Sequence, residues 1–199
     1  DGLVMGHILS AVRQGDFRIV AHQVFDRAED LRRVILPIDF AATPAAQEAN
    51  LATRAEAIRY LRQGGAIGIF PGGTVATGAR PFDPAMDPVW RGFTARMIAR
   101  SGATVVPLWF DGQNSRLFQM VSHVSTTLRL ALLVREFARR TDRPVRLAVG
   151  DPIPADALRR AAPEAKQVMD FLRRKTYDLS PKALDPALLG HEFEEQYRR

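Results

Sequence analysis

The segment Gly64-Gly65-Ala66-Ile67-Gly68-Ile69-Phe70-Pro71-Gly72-Gly73-Thr74 holds the residues best suited to chemistry on an acyl or anionic group. An apolar run bounded by glycine on one side and Pro-Gly-Gly on the other predicts a buried strand that empties into a tight loop of nearly bare backbone. Gly72 and Gly73 can take positive φ without steric cost, so the loop can turn peptide N–H groups toward an anionic or carbonyl oxygen. On this segment alone a plain strand-to-loop turn is the alternative. A second candidate is Asp1, directly before the spacing Leu3, Val4, Ile8, Leu9 and Val12; that spacing predicts a helix with Asp1 at its start, where aspartate also serves as an N-cap. Of the four histidines, His22 falls at a predicted strand end, where it could line a site, and His7 falls inside the first helix as a packing residue.

The elements that must position these groups alternate between strand and helix. Phe17–Ala21 and Val34–Ile38 read as strands, with a short helical stretch around Asp26–Arg33 between them. Gln47–Arg62 reads as a helix with Leu51, Ala55, Ile58 and Leu61 on one face and Gly64-Gly65 as its stop. Strand Ala66–Phe70 follows, then a helix from Trp90 to Gly102 and a strand over Thr104–Phe110. Leu128–Arg140 is amphipathic, either a core helix or a membrane-surface one, and core is preferred because interfacial helices usually carry a wider basic face and an aromatic anchor. Val145–Val149 reads as a strand, Pro154–Lys175 as the last long helix, and the tail beyond Ser180 as irregular. The expectation is an α/β fold: a single layered domain over residues 1–199, with a largely parallel mixed sheet flanked by helices. In such sheets loops converge at the strand ends, so Asp1 and the loop Phe70–Thr74 can share one rim.

Composition narrows the classes. The chain has 199 residues, 46% of them hydrophobic, enough for one sizeable core. Without cysteine it holds no disulfide and no thiolate metal site, which fits a reducing compartment. No apolar run reaches the roughly 18 residues of a membrane span. The net charge of +6 is carried almost wholly by arginine, with lysine only at Lys166, Lys175 and Lys182. Such a balance favours anionic lipid headgroups, an acidic carrier protein or nucleic acid. Against nucleic acid stand the lack of zinc-finger spacing, of interleaved aromatic and basic residues and of any dense basic block. Gly-x-Ser-x-Gly, Gly-Lys-Ser/Thr, Gly-x-Gly-x-x-Gly and His-Glu-x-x-His are also lacking, which disfavours a serine hydrolase, a nucleotidase or a metalloprotease. Ser115, in Gly112-Gln113-Asn114-Ser115-Arg116, reads as a turn residue rather than a nucleophile.

Four blocks in order, Asp1-Gly2-Leu3, Ile35-Leu36-Pro37-Ile38-Asp39, Phe70-Pro71-Gly72-Gly73-Thr74 and Val105-Val106-Pro107-Leu108-Trp109-Phe110, resemble those of the glycerolipid and lysophospholipid acyltransferase family. Within it the chain is most similar to the bacterial hemolysin-like branch, which includes acyltransferases of ornithine-type aminolipids. The resemblance runs on through Asp111–Phe118 and Gly150-Asp151-Pro152-Ile153 to Phe193-Glu194-Glu195. No single block is specific; their series is.

The resemblance implies an O-acyltransferase that moves a fatty acyl group from acyl carrier protein or acyl-coenzyme A to the hydroxyl of a lyso-lipid. It implies a thioester co-substrate but no resident cofactor or metal, peripheral contact with an anionic membrane, and a place on the cytoplasmic side of the bacterial inner membrane. In this family the base is a histidine followed within a few residues by an aspartate. The resemblance puts the aspartate at Asp1 and the histidine just upstream of it. His7, His22, His123 and His191 do not replace it, since none has an aspartate at the family's spacing and His22 to Asp26 is one residue short. Substrate contacts are expected from Phe70, Pro71, Gly72, Gly73, Thr74, Asp39 and His22. Two positions depart from the family: Gly72 stands where glutamate is usual, and Phe40 follows Asp39 where relatives with phosphate-bearing acceptors carry arginine. Both losses weaken the case for a glycerol phosphate acceptor and favour a lyso-aminolipid. The alternatives are a lysophosphatidate or lysophospholipid acyltransferase and, from another class, a noncatalytic lipid-binding module.

Overall fold

The structure is a computed structural model that describes residues 1–41 and 43–193. Glu194 and Glu195, the end of the family resemblance, lie outside the described residues. The chain forms two compact units, the first from residues 1–71, 91–106 and 152–171, the second from residues 72–90, 107–151 and 172–199.

The first unit is built on a parallel sheet of order β2-β1-β3, with β1 at Arg18–His22, β2 at Ile35–Ile38 and β3 at Ile67–Gly68. Parallel neighbours require crossovers. A 3-10 turn at Gln23–Arg27 and the short α2 (Glu29–Arg32) join β1 to β2, and α3 (Pro44–Arg62) joins β2 to β3. Edge strand β2 tolerates Pro37, which has no N–H to give. The Pro37 carbonyl accepts instead from Thr53 Oγ1 on α3, at 2.7 Å. Val20, Leu36, Ala57, Ile58 and Met97 form the core, the last from α4 (Gly92–Ser101). Burying each large apolar side chain contributes about 1.5–3 kcal/mol. Leu51, expected on the buried face of α3, is 54% exposed, while Thr53, Ala57 and Ile58 are buried. The polar anchors to β2 rotate the helix away from its most hydrophobic stripe.

Helix α1 (Gly2–Arg13) packs on β3 because Gly68 has no side chain; a Cβ there would lie 2.5 Å from Met5 Sδ and 2.9 Å from Leu9 Cδ1. Its last residue, Arg13, donates from Nη2 to the Gly64 carbonyl before β3, at 2.5 Å. The helix therefore runs antiparallel to the strand. Asp1, four residues before Met5 and so about 6 Å further along the axis, lies toward the C-terminal rim of the sheet.

In the second unit β4 (Leu108–Asp111) pairs antiparallel with β5 (Arg146–Val149), in register from Leu108↔Val149 to Asp111↔Arg146. The largely parallel mixed sheet of the sequence reading is thus a three-stranded parallel sheet in one unit and an antiparallel pair in the other. The strand expected over Thr104–Phe110 divides at Pro107, which lacks a donor; Val105 makes only an isolated bridge with Ile153. The helix expected over Pro154–Lys175 divides at Pro163 into α7 (Ala155–Ala161) and α8 (Ala165–Tyr177). Between β4 and β5 lie α5 (Arg116–Ser122), which sequence periodicity did not reveal, and α6 (Thr126–Arg140). Buried Arg173, on the part of α8 in this unit, donates to the carbonyls of Asp87, Pro88, Pro186 and Leu188 and so fastens the irregular tail.

The preference for α6 as a core helix fails for four of its six large apolar residues. Arg129, whose charge the amphipathic pattern puts on the polar side, and Glu136 are buried at 5% and 7% exposure, and Leu132 and Leu133 beside them are half-buried. Leu128, Leu130, Val134 and Phe137 face solvent. Specific partners for the two charges decide the orientation, as the site geometry shows.

Candidate functional site

The C-terminal ends of the three parallel strands bring several candidate residues to one rim of the first unit. His22 ends β1, Asp39 follows β2, and Phe70 and Pro71 follow β3. Asp1 approaches the same rim through α1. It stands at the N-cap of α1, where its carbonyl accepts from Met5 N at 2.8 Å, but its side chain makes no capping bond. Asp1 is exposed.

His22 has a local task. Its Nδ1 accepts from Val24 N at 3.1 Å, which caps the 3-10 turn and assigns the ring proton to Nε2. The ring stacks on Phe40, with centroids 5.7 Å apart and planes 29° apart. Asp39 is set by Asn50 on α3: Asn50 Oδ1 accepts from Asp39 N at 2.9 Å, and Asn50 Nδ2 donates to Asp39 O at 2.7 Å. The Asp39 carboxylate accepts from Ala41 N at 2.9 Å. The rim is therefore formed by backbone pinned from α3 together with an aromatic–imidazole stack. Asn50 and Thr53 carry that pinning and were not singled out by sequence; their signal is two polar residues beside the apolar face of a helix that follows a proline-bearing strand.

Gly72, Gly73 and Thr74 are built in the second unit. Gly73 has φ of +69°, the left-handed region in which a side chain is strained. A Cβ on buried Gly72 would lie 3.3 Å from Asp87 Cβ, so the neighbouring segment leaves little room. Thr74 is fixed by Arg129, whose Nη2 donates to Thr74 Oγ1 at 3.2 Å and to Val75 O at 3.0 Å. Nη1 of the same guanidinium donates to Thr77 Oγ1 at 2.8 Å and Ser122 Oγ at 3.0 Å. Its carbon lies 3.8 Å from the centroid of the Phe193 ring and 5.0 Å from that of Phe118. Neutral oxygens and aromatic faces surround the charge, and burial pulls its pKa down to about 10, still cationic at neutral pH. Arg129 is thus the anchor of the glycine loop. Sequence periodicity hides it, because the helix carries apolar residues on both sides.

Asp87, beside Gly72, is held by Trp90 Nε1, which donates to its carboxylate at 2.9 Å, while its backbone N–H donates to Tyr177 Oη at 2.9 Å. Burial pushes the Asp87 carboxyl up against the opposing pull of Trp90, Arg173 and Tyr177. Burial and the neighbouring Asp87 push the Tyr177 hydroxyl up to about 12.

Ser115, read from the sequence as a turn residue, is instead the N-cap of α5. Its Oγ accepts from Phe118 N at 3.2 Å and donates to Glu136 Oε1 at 2.6 Å, while its backbone N–H donates to Glu136 Oε2 at 2.9 Å. Burial pushes the Glu136 carboxyl up, but the two Ser115 bonds and the charges of Arg139 and Arg135 outweigh it and leave the group below its ordinary value of 4.5. A depressed carboxyl pKa contributes stability that is present above the unfolded value and lost as pH falls through the folded one. The stability advantage of the wild-type protein over Glu136→Gln should therefore be full near neutrality and shrink below about pH 4.5, as urea denaturation of both proteins across that range will report.

His123 and His191 pack edge to face at 4.7 Å, and His191 packs similarly on Phe193 at 4.6 Å. They border a cavity of about 360 Å³ with Ser122, Ser125 and Thr126. The described residues contain no group of three or more His, Cys, Asp or Glu side chains placed to hold a metal ion. No described helix is long and apolar enough to cross a membrane. Compared with protein-family models, curated proteins and solved structures, the chain matches none.

Proposed function

We propose that the protein is an O-acyltransferase that moves a fatty acyl group from an acyl carrier protein or coenzyme A thioester to the hydroxyl of a lyso-lipid, with a lyso-aminolipid of the ornithine type as acceptor. The observation that supports it best is the approach of Asp1, His22, Asp39 and Phe70–Pro71 to one rim of the parallel sheet in the first unit, where the loops of such sheets meet substrates. The four blocks that resemble the acyltransferase family supply three of those positions.

In this reading Asp1 holds the tautomer of a histidine supplied from upstream of residue 1, and that histidine takes the proton from the acceptor hydroxyl as it attacks the thioester carbonyl. Backbone N–H groups that follow β3 in the first unit stabilise the oxyanion that forms. The thiol leaves with the proton, so no covalent acyl-enzyme is needed. His22 and Asp39 line the acceptor side. The arginine-rich surface helps to dock an acidic carrier protein and to keep the protein at an anionic bilayer on the cytoplasmic face of the inner membrane.

The acceptor assignment rests on Gly72 and Phe40, which replace the glutamate and arginine that would grip a glycerol phosphate. A phosphate monoester without an arginine partner forfeits roughly 1.5–3 kcal/mol, about ten- to a hundredfold in affinity. Acylation of lyso-ornithine-type lipid should exceed that of lysophosphatidate by at least about tenfold with one carrier-protein thioester as donor. Faster turnover of lysophosphatidate would move the assignment to glycerophospholipid synthesis.

A further inference from the structure

Helix α6 presents its apolar stripe outward. Leu130, Val134 and Phe137 recur at i, i+4 and i+7, which places them on one face, and they are 63%, 71% and 61% exposed. Exposed Thr127, Ala131 and Ala138 extend the stripe without adding charge. Arg129 and Glu136 occupy the opposite face, inside the protein. The orientation is fixed by the four Arg129 donors and the two Ser115–Glu136 bonds, so the helix cannot roll its apolar stripe inward without stranding both charges.

Charge at the border of the stripe identifies what covers it. Arg135 and Arg139 flank it on α6, and Arg140, Arg143 and Arg146 follow within two turns' length of chain. All five are exposed, against a single exposed carboxylate, Asp142, over the same stretch. An apolar stripe that carries one aromatic ring and is edged by arginine has the composition of a helix lying in the interface of an anionic bilayer. Arg140 donates to the Gln113 carbonyl at 2.9 Å and Arg146 lies on β5, so Arg135 and Arg139 carry the charge at the border of the stripe itself, and α6 has no exposed carboxylate to balance them as a protein partner of mixed charge would require.

We infer that α6 is a membrane-docking helix, which seats Leu130, Val134 and Phe137 among the headgroups and upper acyl chains of an anionic lipid surface while Arg135 and Arg139 contact lipid phosphates. The inference deepens the membrane contact of the proposed function by naming the surface that makes it. It does not need acyl transfer, so an inactive protein that binds vesicles through this face supports it while counting against the enzymatic reading.

The test is flotation of the protein with vesicles of equal parts phosphatidylglycerol and phosphatidylcholine, and with vesicles of phosphatidylcholine alone. Binding is expected on the mixed vesicles, falling by about tenfold or more on phosphatidylcholine and in high salt. The triple variant Leu130→Ser, Val134→Ser, Phe137→Ser should lose about a hundredfold in partition. Arg135→Gln with Arg139→Gln should lose about tenfold at low salt and little more at high salt. Circular dichroism melting checks the fold, and the salt and lipid dependence of the wild-type protein needs no variant. Failure of the wild-type protein to float with anionic vesicles would overturn the inference, as would a folded triple variant that binds like the wild type. A dimer in solution that the triple variant dissociates would also overturn it, by giving the face to a second copy of the chain.

Discussion

Replacing Arg129 by methionine is expected to destabilise the protein by about 3 kcal/mol and to loosen the segment from Thr74 to Thr77. The guanidinium directs four N–H donors to Thr74 Oγ1, Val75 O, Thr77 Oγ1 and Ser122 Oγ, at 2.8–3.2 Å. Methionine fills much of the same volume and removes the cost of a buried charge, but it takes one N–H donor each from Thr74 Oγ1, Val75 O, Thr77 Oγ1 and Ser122 Oγ. Although Val75 O keeps the Thr77 hydroxyl at 3.0 Å, four lost bonds of about 0.5–1.5 kcal/mol each outweigh that relief. The hydroxyls can turn to other partners and recover part of the loss. Arg129→Lys should also be destabilising, because a single ammonium cannot reach four acceptors in the geometry of a planar fork. Urea denaturation gives the magnitude, and amide hydrogen exchange over residues 74–77 gives the location. A loss below about 1 kcal/mol with unchanged exchange would contradict the anchoring role.

The largest functional effect is expected at Asp1. In a chain that includes the residues preceding it, Asp1→Ala should lower turnover by about a hundredfold or more, the cost of a base whose tautomer and orientation are no longer fixed. Circular dichroism melting of the variant separates a loss of turnover from a loss of fold. Asp1→Asn should lose a similar amount, because the carboxylate charge as well as its shape is needed to stabilise the imidazolium. Turnover near that of the wild type, with melting unchanged, would remove Asp1 from the mechanism.

Strongly punctuated elements were legible in the sequence. Gln47–Arg62 was expected as a helix and forms within α3, with the hydroxyl of Thr43 as its cap and Pro44 in its first turn; the helix before Gly102 ends on that glycine at φ +73°. Parallel strands around Val20 and Leu36 were legible from their apolar runs. What sequence reasoning lost was decided by tertiary partners or by proline. Pro107 and Pro163 cut a strand and a helix that periodicity had joined. Leu51 was turned out of the core by the anchors of Asn50 and Thr53 on β2. In α6 the apolar residues define two rival stripes, and the choice between them depends on Ser115, Ser122, Thr74 and Thr77, residues that sequence spacing alone does not bring near the helix. For the candidate site, the approach of Asp1, Asp39 and Phe70 to one rim follows from strand order, which alternation of elements suggests. The tie of His22 to Val24 and the anchoring of Thr74 by Arg129 depend on side-chain geometry that has no trace in a linear pattern.

Transfer of a labelled acyl group from acyl carrier protein thioester to a single-chain lipid, measured with purified protein that includes the residues preceding Asp1, tests the enzymatic reading most directly. The expected result is a two-chain lipid product that forms in proportion to enzyme, with stoichiometric release of carrier thiol and loss of nearly all product in the Asp1→Ala protein. Binding of the single-chain lipid with no transfer from either carrier-protein or coenzyme A thioesters would contradict it and identify a noncatalytic lipid-binding module.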